Sequence, residues 1–233
     1  TLKLDDISIG NHSSLGVKSV KDVLFTMLRL MPLALSGAAG YSAEVLPRFF
    51  LNGYDDLKAV GILTALIYPY QAGSMIFKSI ESAVIGKMSH FFQSGQMKRG
   101  LKVFALLLFL VLLGSTIGLM IVAFWGALIL KIAYGADYSA YSYLFLLMAA
   151  AWVIRYLASA VITISASYRM FRSLMTGNII MLAVSLIACP ILIHNYSVKG
   201  AIYAVGAAHL SLLVYSIISC LLVLNNRQLC KAG

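Results

Sequence analysis

The stretch that decides the fold class is Leu28-Arg29-Leu30-Met31-Pro32-Leu33-Ala34-Leu35-Ser36-Gly37-Ala38-Ala39-Gly40-Tyr41-Ser42-Ala43-Glu44-Val45-Leu46-Pro47-Arg48. It is apolar enough to enter a bilayer, yet it holds Arg29, Glu44 and Arg48 together with Pro32, Gly37 and Gly40. A charge near the middle of a spanning helix costs about 3 kcal/mol or more, so such charges face a partner or a wet cavity. At ~100° per residue, Arg29, Ser36, Gly40 and Glu44 fall within about 80° of one another. One face of this helix is small and polar, and the rest is apolar. The pattern predicts a helix that lines a pathway.

The flanking sequence repeats the theme. Of 233 residues, 61% are hydrophobic and 11% charged, and the mean hydropathy is +0.91. Ordinary soluble domains carry roughly 25% charged residues, so this composition predicts a polytopic membrane protein. Cys189, Cys220 and Cys230 have neither metal-ligand spacing nor a disulfide framework, and read as small hydrophobes. Residues 1–20 are polar and lack the pattern of a secretory signal. A start at Thr1 is expected of part of a longer protein.

Hydropathy predicts an all-α bundle of six spans. The first runs from about Val23 to Phe50 and the second from Val60 to Ser82, with Pro69 near its middle. A basic, hydrophilic segment from Gly86 to Lys102 follows. Val103 to Tyr134 is almost unbroken apolar sequence, too long for one crossing of a core about 30 Å thick. It is expected to divide into a third span ending near Trp125 and a short interfacial helix. The fourth span covers about Ser139 to Ser165, the fifth Leu174 to Ile193, and the sixth Ala201 to Leu224. Three segments result: 1–20 as a cytoplasmic connection, 21–225 as the six-helix lobe, and 226–233 as a cytoplasmic tail.

Basic residues set the orientation. Alternate junctions hold Lys3, Lys18, Lys21, Lys87, Lys98, Arg99, Lys102, Arg169, Arg172, Arg227 and Lys231, against Arg48, Lys58, Lys131 and Lys199 on the other side. The positive-inside rule puts both ends of the segment in the cytoplasm, as an even number of spans requires. The net charge of +10 is thus a topology signal, and its scatter among membrane turns argues against nucleic-acid binding.

The candidate site consists of the charges inside or at the ends of spans: Arg29, Lys78, Arg155, Glu81, Glu44 and Arg48. Lys78 and Glu81 share a helix face with Gln71 and Ser74, and Glu44 and Arg48 are spaced as an i,i+4 pair. The plain alternative is mutual neutralisation, Lys78 with Glu81 for example, and snorkelling to the interface for Arg48. With Arg29, Lys78 and Arg155 facing inward, the pathway is net cationic and suits phosphate or carboxylate groups. His209 could serve a proton-coupled cycle or simply pack. Tyr41, Tyr68, Tyr70, Tyr143 and Tyr156 could stack on sugars or pack. No nucleotide, metal or nucleophile motif is present, so no cofactor or metal is expected, and an enzyme is not.

Four stretches resemble the C-terminal half of polysaccharide flippases of the multidrug/oligosaccharidyl-lipid/polysaccharide superfamily. They are residues Leu30 to Ser36, Ala59 to Ala65, the turn Ile132-Ala133-Tyr134-Gly135-Ala136-Asp137-Tyr138, and Pro190 to Ile193 followed by Val198-Lys199-Gly200-Ala201. Gly86-Lys87 stands where that family often has Pro. The resemblance implies one lobe of a two-lobe, alternating-access transporter in a bacterial inner membrane, with an N-terminal lobe of the same chain as its partner. It implies a polyprenyl-pyrophosphate-linked oligosaccharide as substrate, for O-antigen or related surface polysaccharide, and polysaccharide polymerase machinery as a further partner. A cation-coupled multidrug exporter and the six-helix membrane domain of an ABC-type assembly are the alternatives.

Overall fold

A lipid-facing segment must satisfy its own peptide groups, and here every long apolar stretch does so as an α-helix. The structure, a computed structural model, describes residues 20–168 and 170–232; the side chains at 20–23, 25, 26, 29 and 223–232 lie outside the described set. Five long helices follow one another: α1 (Val20–Tyr54), α2 (Leu57–Gln93), α3 (Met97–Tyr134), α4 (Ser142–Ser167) and α5 (Phe171–Ala232). A 3-10 helix, Ala136–Tyr141, precedes α4, and no strand occurs among the described residues. Four stretches of helix are long and apolar enough to cross a membrane: Leu57–Gln93, Met97–Tyr134, Ala136–Ser167 and Phe171–Leu222.

α5 is not one rod. Ser197 breaks it with φ 51° and ψ −127°, and the residues after it turn back along those before it. Ser173 Oγ lies 2.7 Å from Ser219 Oγ, and Gly177 sits against Tyr215 and Leu212, which pairs the two arms antiparallel. The turn requires glycine at 200, because a Cβ there would run into the Leu192 carbonyl. Contacts elsewhere give the direction of the remaining helices. Asn178 donates to Ser36 Oγ at 2.9 Å and Ser185 to the Ala43 carbonyl at 3.2 Å, so α1 runs parallel to the first arm of α5. Phe77 packs on Gly114, and Phe145 on Gly126, making α3 antiparallel to both α2 and α4. The rods therefore alternate in direction, with the turns at 54–57, 134–142 and 194–199 at one end.

The main core gathers Leu51, Leu63, Leu66, Phe145, Met148, Ile193 and Ile202 at that same end, where Tyr54 also meets His194 at 5.8 Å. Outward faces stay apolar, as with Phe109, Phe124, Ile132 and Leu221. α1 packs far more extensively on α5 than on α2, so α1 and α2 part beyond their turn.

Three boundaries differ from expectation. α3 continues through Trp125 to Tyr134 as a single helix of 38 residues, without a separate interfacial piece. Its length, about 57 Å, carries it beyond the hydrocarbon at one end or both. The Gly86 to Lys102 segment is largely helical, with only residues 94–96 as a turn. The short helix falls after Gly135, not before it. The connecting segment expected at 1–20 falls almost wholly outside the described residues, as do the side chains of the tail from 226.

Gly200→Ala is expected to lower the thermal midpoint of the detergent-solubilised protein by several degrees, since backbone must shift. Gly61→Ala, whose Cβ meets nothing within 4 Å, is the control and should leave it unchanged or slightly raised. Equal midpoints would remove the close approach from the account of the hairpin.

Candidate functional site

Positions 152, 155, 156 and 159 lie on one face of α4, since they are three and four apart. That face looks into the cleft between α1 and α2. The result is a cavity of about 220 Å³ lined by Tyr41 and Glu44 of α1, Gln71, Ser74, Lys78 and Glu81 of α2, and Trp152, Arg155, Tyr156 and Ser159 of α4. Polar groups from three helices thus meet inside an otherwise apolar bundle.

Arg155 Nε donates to Glu44 Oε1 at 3.4 Å, the only ion pair among the described residues. This is longer than the roughly 2.8 Å of a tight charge-assisted bond. The terminal guanidinium nitrogens of Arg155 make no hydrogen bond among the described residues, so the planar fork stays open to another anion. Glu81, nearly buried, accepts from Ser159 Oγ at 2.8 Å. Lys78 is exposed in the cavity, with neither hydrogen bond nor ion pair among the described residues. Two acids and two bases therefore line the cavity.

Four of the six sequence candidates, Glu44, Lys78, Glu81 and Arg155, come together here. The Arg29 side chain lies outside the described residues. Several expectations need correcting. Glu44 reaches across to Arg155 instead of pairing with Arg48 along its own helix. Arg48 lies with its guanidinium carbon 5.8 Å from the Tyr68 ring centroid, away from the cavity, and its buried Nε has no partner among the described residues. The described part of the cavity is charge-balanced, not net cationic. Lys78 and Glu81 share a face but form no ion pair within 4 Å.

Two tyrosines fasten α2 to α4 beside the cavity. Tyr70 donates to the Phe145 carbonyl at 3.0 Å, and Tyr156 donates to the Tyr70 carbonyl at 2.8 Å. His209 sits behind α4, 1% exposed, with Nδ1 3.0 Å from the Ala151 carbonyl. A carbonyl only accepts, so Nδ1 carries the proton and the imidazole serves as a pin between helices. Its ring meets Trp152 edge-on at 5.5 Å. Cys189 and Cys220 are buried thiols with no disulfide. No cluster of three or more metal-ligating side chains occurs among the described residues.

The sequence alone did not single out Trp152 or Ser159. Their signal was present: each is one helical turn from Arg155. Comparison with protein families, with curated proteins and with solved structures finds no match to this chain.

A double-mutant cycle with Glu44→Gln and Arg155→Gln, read by unfolding in detergent, should give a coupling of about 1–3 kcal/mol, because each single change strands a partly buried charge. Additive losses would mean the two groups do not act as a pair.

Proposed function

We propose that this chain is a six-span lobe of a membrane transporter, a flippase for a polyprenyl-pyrophosphate-linked oligosaccharide used in surface polysaccharide synthesis. The observation that carries this reading is the Lys78–Arg155 cavity. It offers a free ammonium and an open guanidinium fork in a low-dielectric wall, the chemistry that holds a pyrophosphate. Glu44 is then an internal anion that keeps Arg155 placed until a phosphate displaces it. Tyr41 and Tyr156, at the cavity wall, are suited to lie against sugar rings. The resemblance drawn from sequence supports the same reading, through Leu30 to Ser36, Ala59 to Ala65, the Ile132 to Tyr138 turn, and Pro190 to Ile193 followed by Val198 to Ala201.

In this reading α1 to α4 and the two arms of α5 each cross the membrane, and both ends of the segment face the cytoplasm of a bacterial inner membrane. The alternation of helix direction supports it, and so does the placement of basic residues. Lys87, Lys98, Arg99, Lys102 and Arg172 cluster toward one end of the bundle, whereas Lys58, Lys131 and Lys199 lie toward the other. The exposed apolar residues of α1, among them Leu30, Leu33 and Leu35, are left for lipid or for a facing first lobe. Rocking of two such lobes would expose the cavity to each side in turn. The nearly buried Glu81 favours a second reading, a cation-coupled exporter in which that carboxylate takes the coupling ion.

The deciding experiment uses the full-length gene in a strain lacking the surface glycan, at matched membrane expression. Arg29→Ala, Lys78→Ala and Arg155→Ala should lose most export, while Arg→Lys and Lys→Arg retain much of it. Normal export by all three alanine variants would overturn the cationic-site reading. Orientation has its own check. In a cysteine-free background, Gly53→Cys and Asn195→Cys should react with an impermeant maleimide from outside, and Gly95→Cys only after permeabilisation. The reverse pattern would invert the topology.

A further inference from the structure

A second cavity, about 260 Å³, adjoins the first on the other side of α4, between α2, α3 and α4. Its walls are apolar or aromatic, including Leu119, Ile121, Val122 and Phe145. A Cβ at Gly118 would meet nothing within 4 Å, so the middle of this groove is open at α3. Phe77, Trp152 and Tyr156 line both cavities. The division between charge and hydrocarbon is therefore one layer of rings, with Phe77 and Tyr156 at 4.6 Å and Trp152 and Tyr156 at 5.9 Å.

Two donors in this region lack acceptors. Ser115 Oγ, on the groove wall, and Trp152 Nε1, at the partition, have no partner among the described residues. The two residues are 5% and 4% exposed. An unmet polar group is costly in a water-poor setting, so both are placed to receive an oxygen from a bound molecule.

We infer that the two cavities form one bipartite site for a single-chain prenyl-type lipid pyrophosphate, with the chain in the groove of α2, α3 and α4 and the pyrophosphate beside Lys78 and Arg155. The oxygen joining head to chain falls at the aromatic partition, where the Trp152 N–H lacks an acceptor. The inference rests on the proposed lipid-linked anionic substrate and adds where its hydrocarbon lies. At about 260 Å³ the groove takes a short stretch of one chain, and the proposed carrier has a single chain to place there.

The test uses the full-length protein in nanodiscs with farnesyl pyrophosphate, farnesol and inorganic pyrophosphate as probes, and a diazirine at the chain end of a photoreactive farnesyl pyrophosphate. Farnesyl pyrophosphate should bind at least about tenfold more tightly than inorganic pyrophosphate, because several methylenes leave water. Photoadducts should map to residues 114–122 of α3. Gly118→Leu should abolish both the chain advantage and the adducts while inorganic pyrophosphate binds unchanged, with Gly118→Ala intermediate. Adducts spread over outward helix faces, or insensitive to Gly118→Leu, overturn the groove; pyrophosphate binding that still needs Lys78 and Arg155 then leaves the cavity reading standing. Labelling by farnesol as strong as by farnesyl pyrophosphate, with no effect of Arg155→Ala, overturns the bipartite site and the anionic substrate together. Equal competition by a two-chain phosphatidic acid overturns the choice of a single chain.

Discussion

A helix can hide its own peptide groups from lipid, but it cannot hide a charged side chain. That constraint shapes the bundle around Arg155, which lies midway along α4 with no acid within reach on its own helix. Its partner comes from α1, 111 residues away in sequence. Holding that pair requires α1 to lie against α5, α5 against α4, and α2 to leave a gap beside them. The Ser36–Asn178 and Ala43–Ser185 bonds fix α1 in depth, and His209 fixes α4 from behind. The polar cavity is what remains where these fixed helices do not close.

The same constraint explains why polar contacts are concentrated along the interior. Ser165, Ser173 and Ser219 join α4 to both arms of α5 through a short chain of hydroxyls. Tyr70 and Tyr156 join α2 to α4 through carbonyls that already serve the helix, using the second lone pair. Among the described residues the buried side-chain atoms without a partner are Arg48 Nε, Ser115 Oγ and Trp152 Nε1, and the last two border the groove beside the charged cavity.

Much of this was legible in the sequence, and the physical reason is the same in each case. Hydropathy reports where a chain avoids water, so the long apolar helices and most turns were within reach. It does not report where a helix leaves the lipid. Gly86 to Lys102 reads only as a basic, hydrophilic junction between spans, yet Lys, Met and Gln are good helix formers and the helices continue outside the apolar zone. The Val103 to Tyr134 run was divided for length alone, whereas nothing in it stops a helix before Gly135. Side-chain pairing was the least legible. Glu44 and Arg48 are spaced to pair locally, and only the approach of α4 draws Glu44 away. The meeting of Lys78, Glu81 and Arg155 depends on the direction and depth of three helices, which local pattern does not contain.

Trp152 has a consequence of a different kind. The chain holds two tryptophans, and the other, Trp125, is 55% exposed on the outer surface of α3. Indole emission depends on the polarity of its surroundings, and only one of these rings touches both the charged and the apolar cavity. With Trp125 replaced by Phe, the protein carries a single tryptophan, which can be excited selectively over the tyrosines, at the boundary between the charged and the apolar cavity. Its spectrum would record the wetting and drying of that boundary without any dye attached.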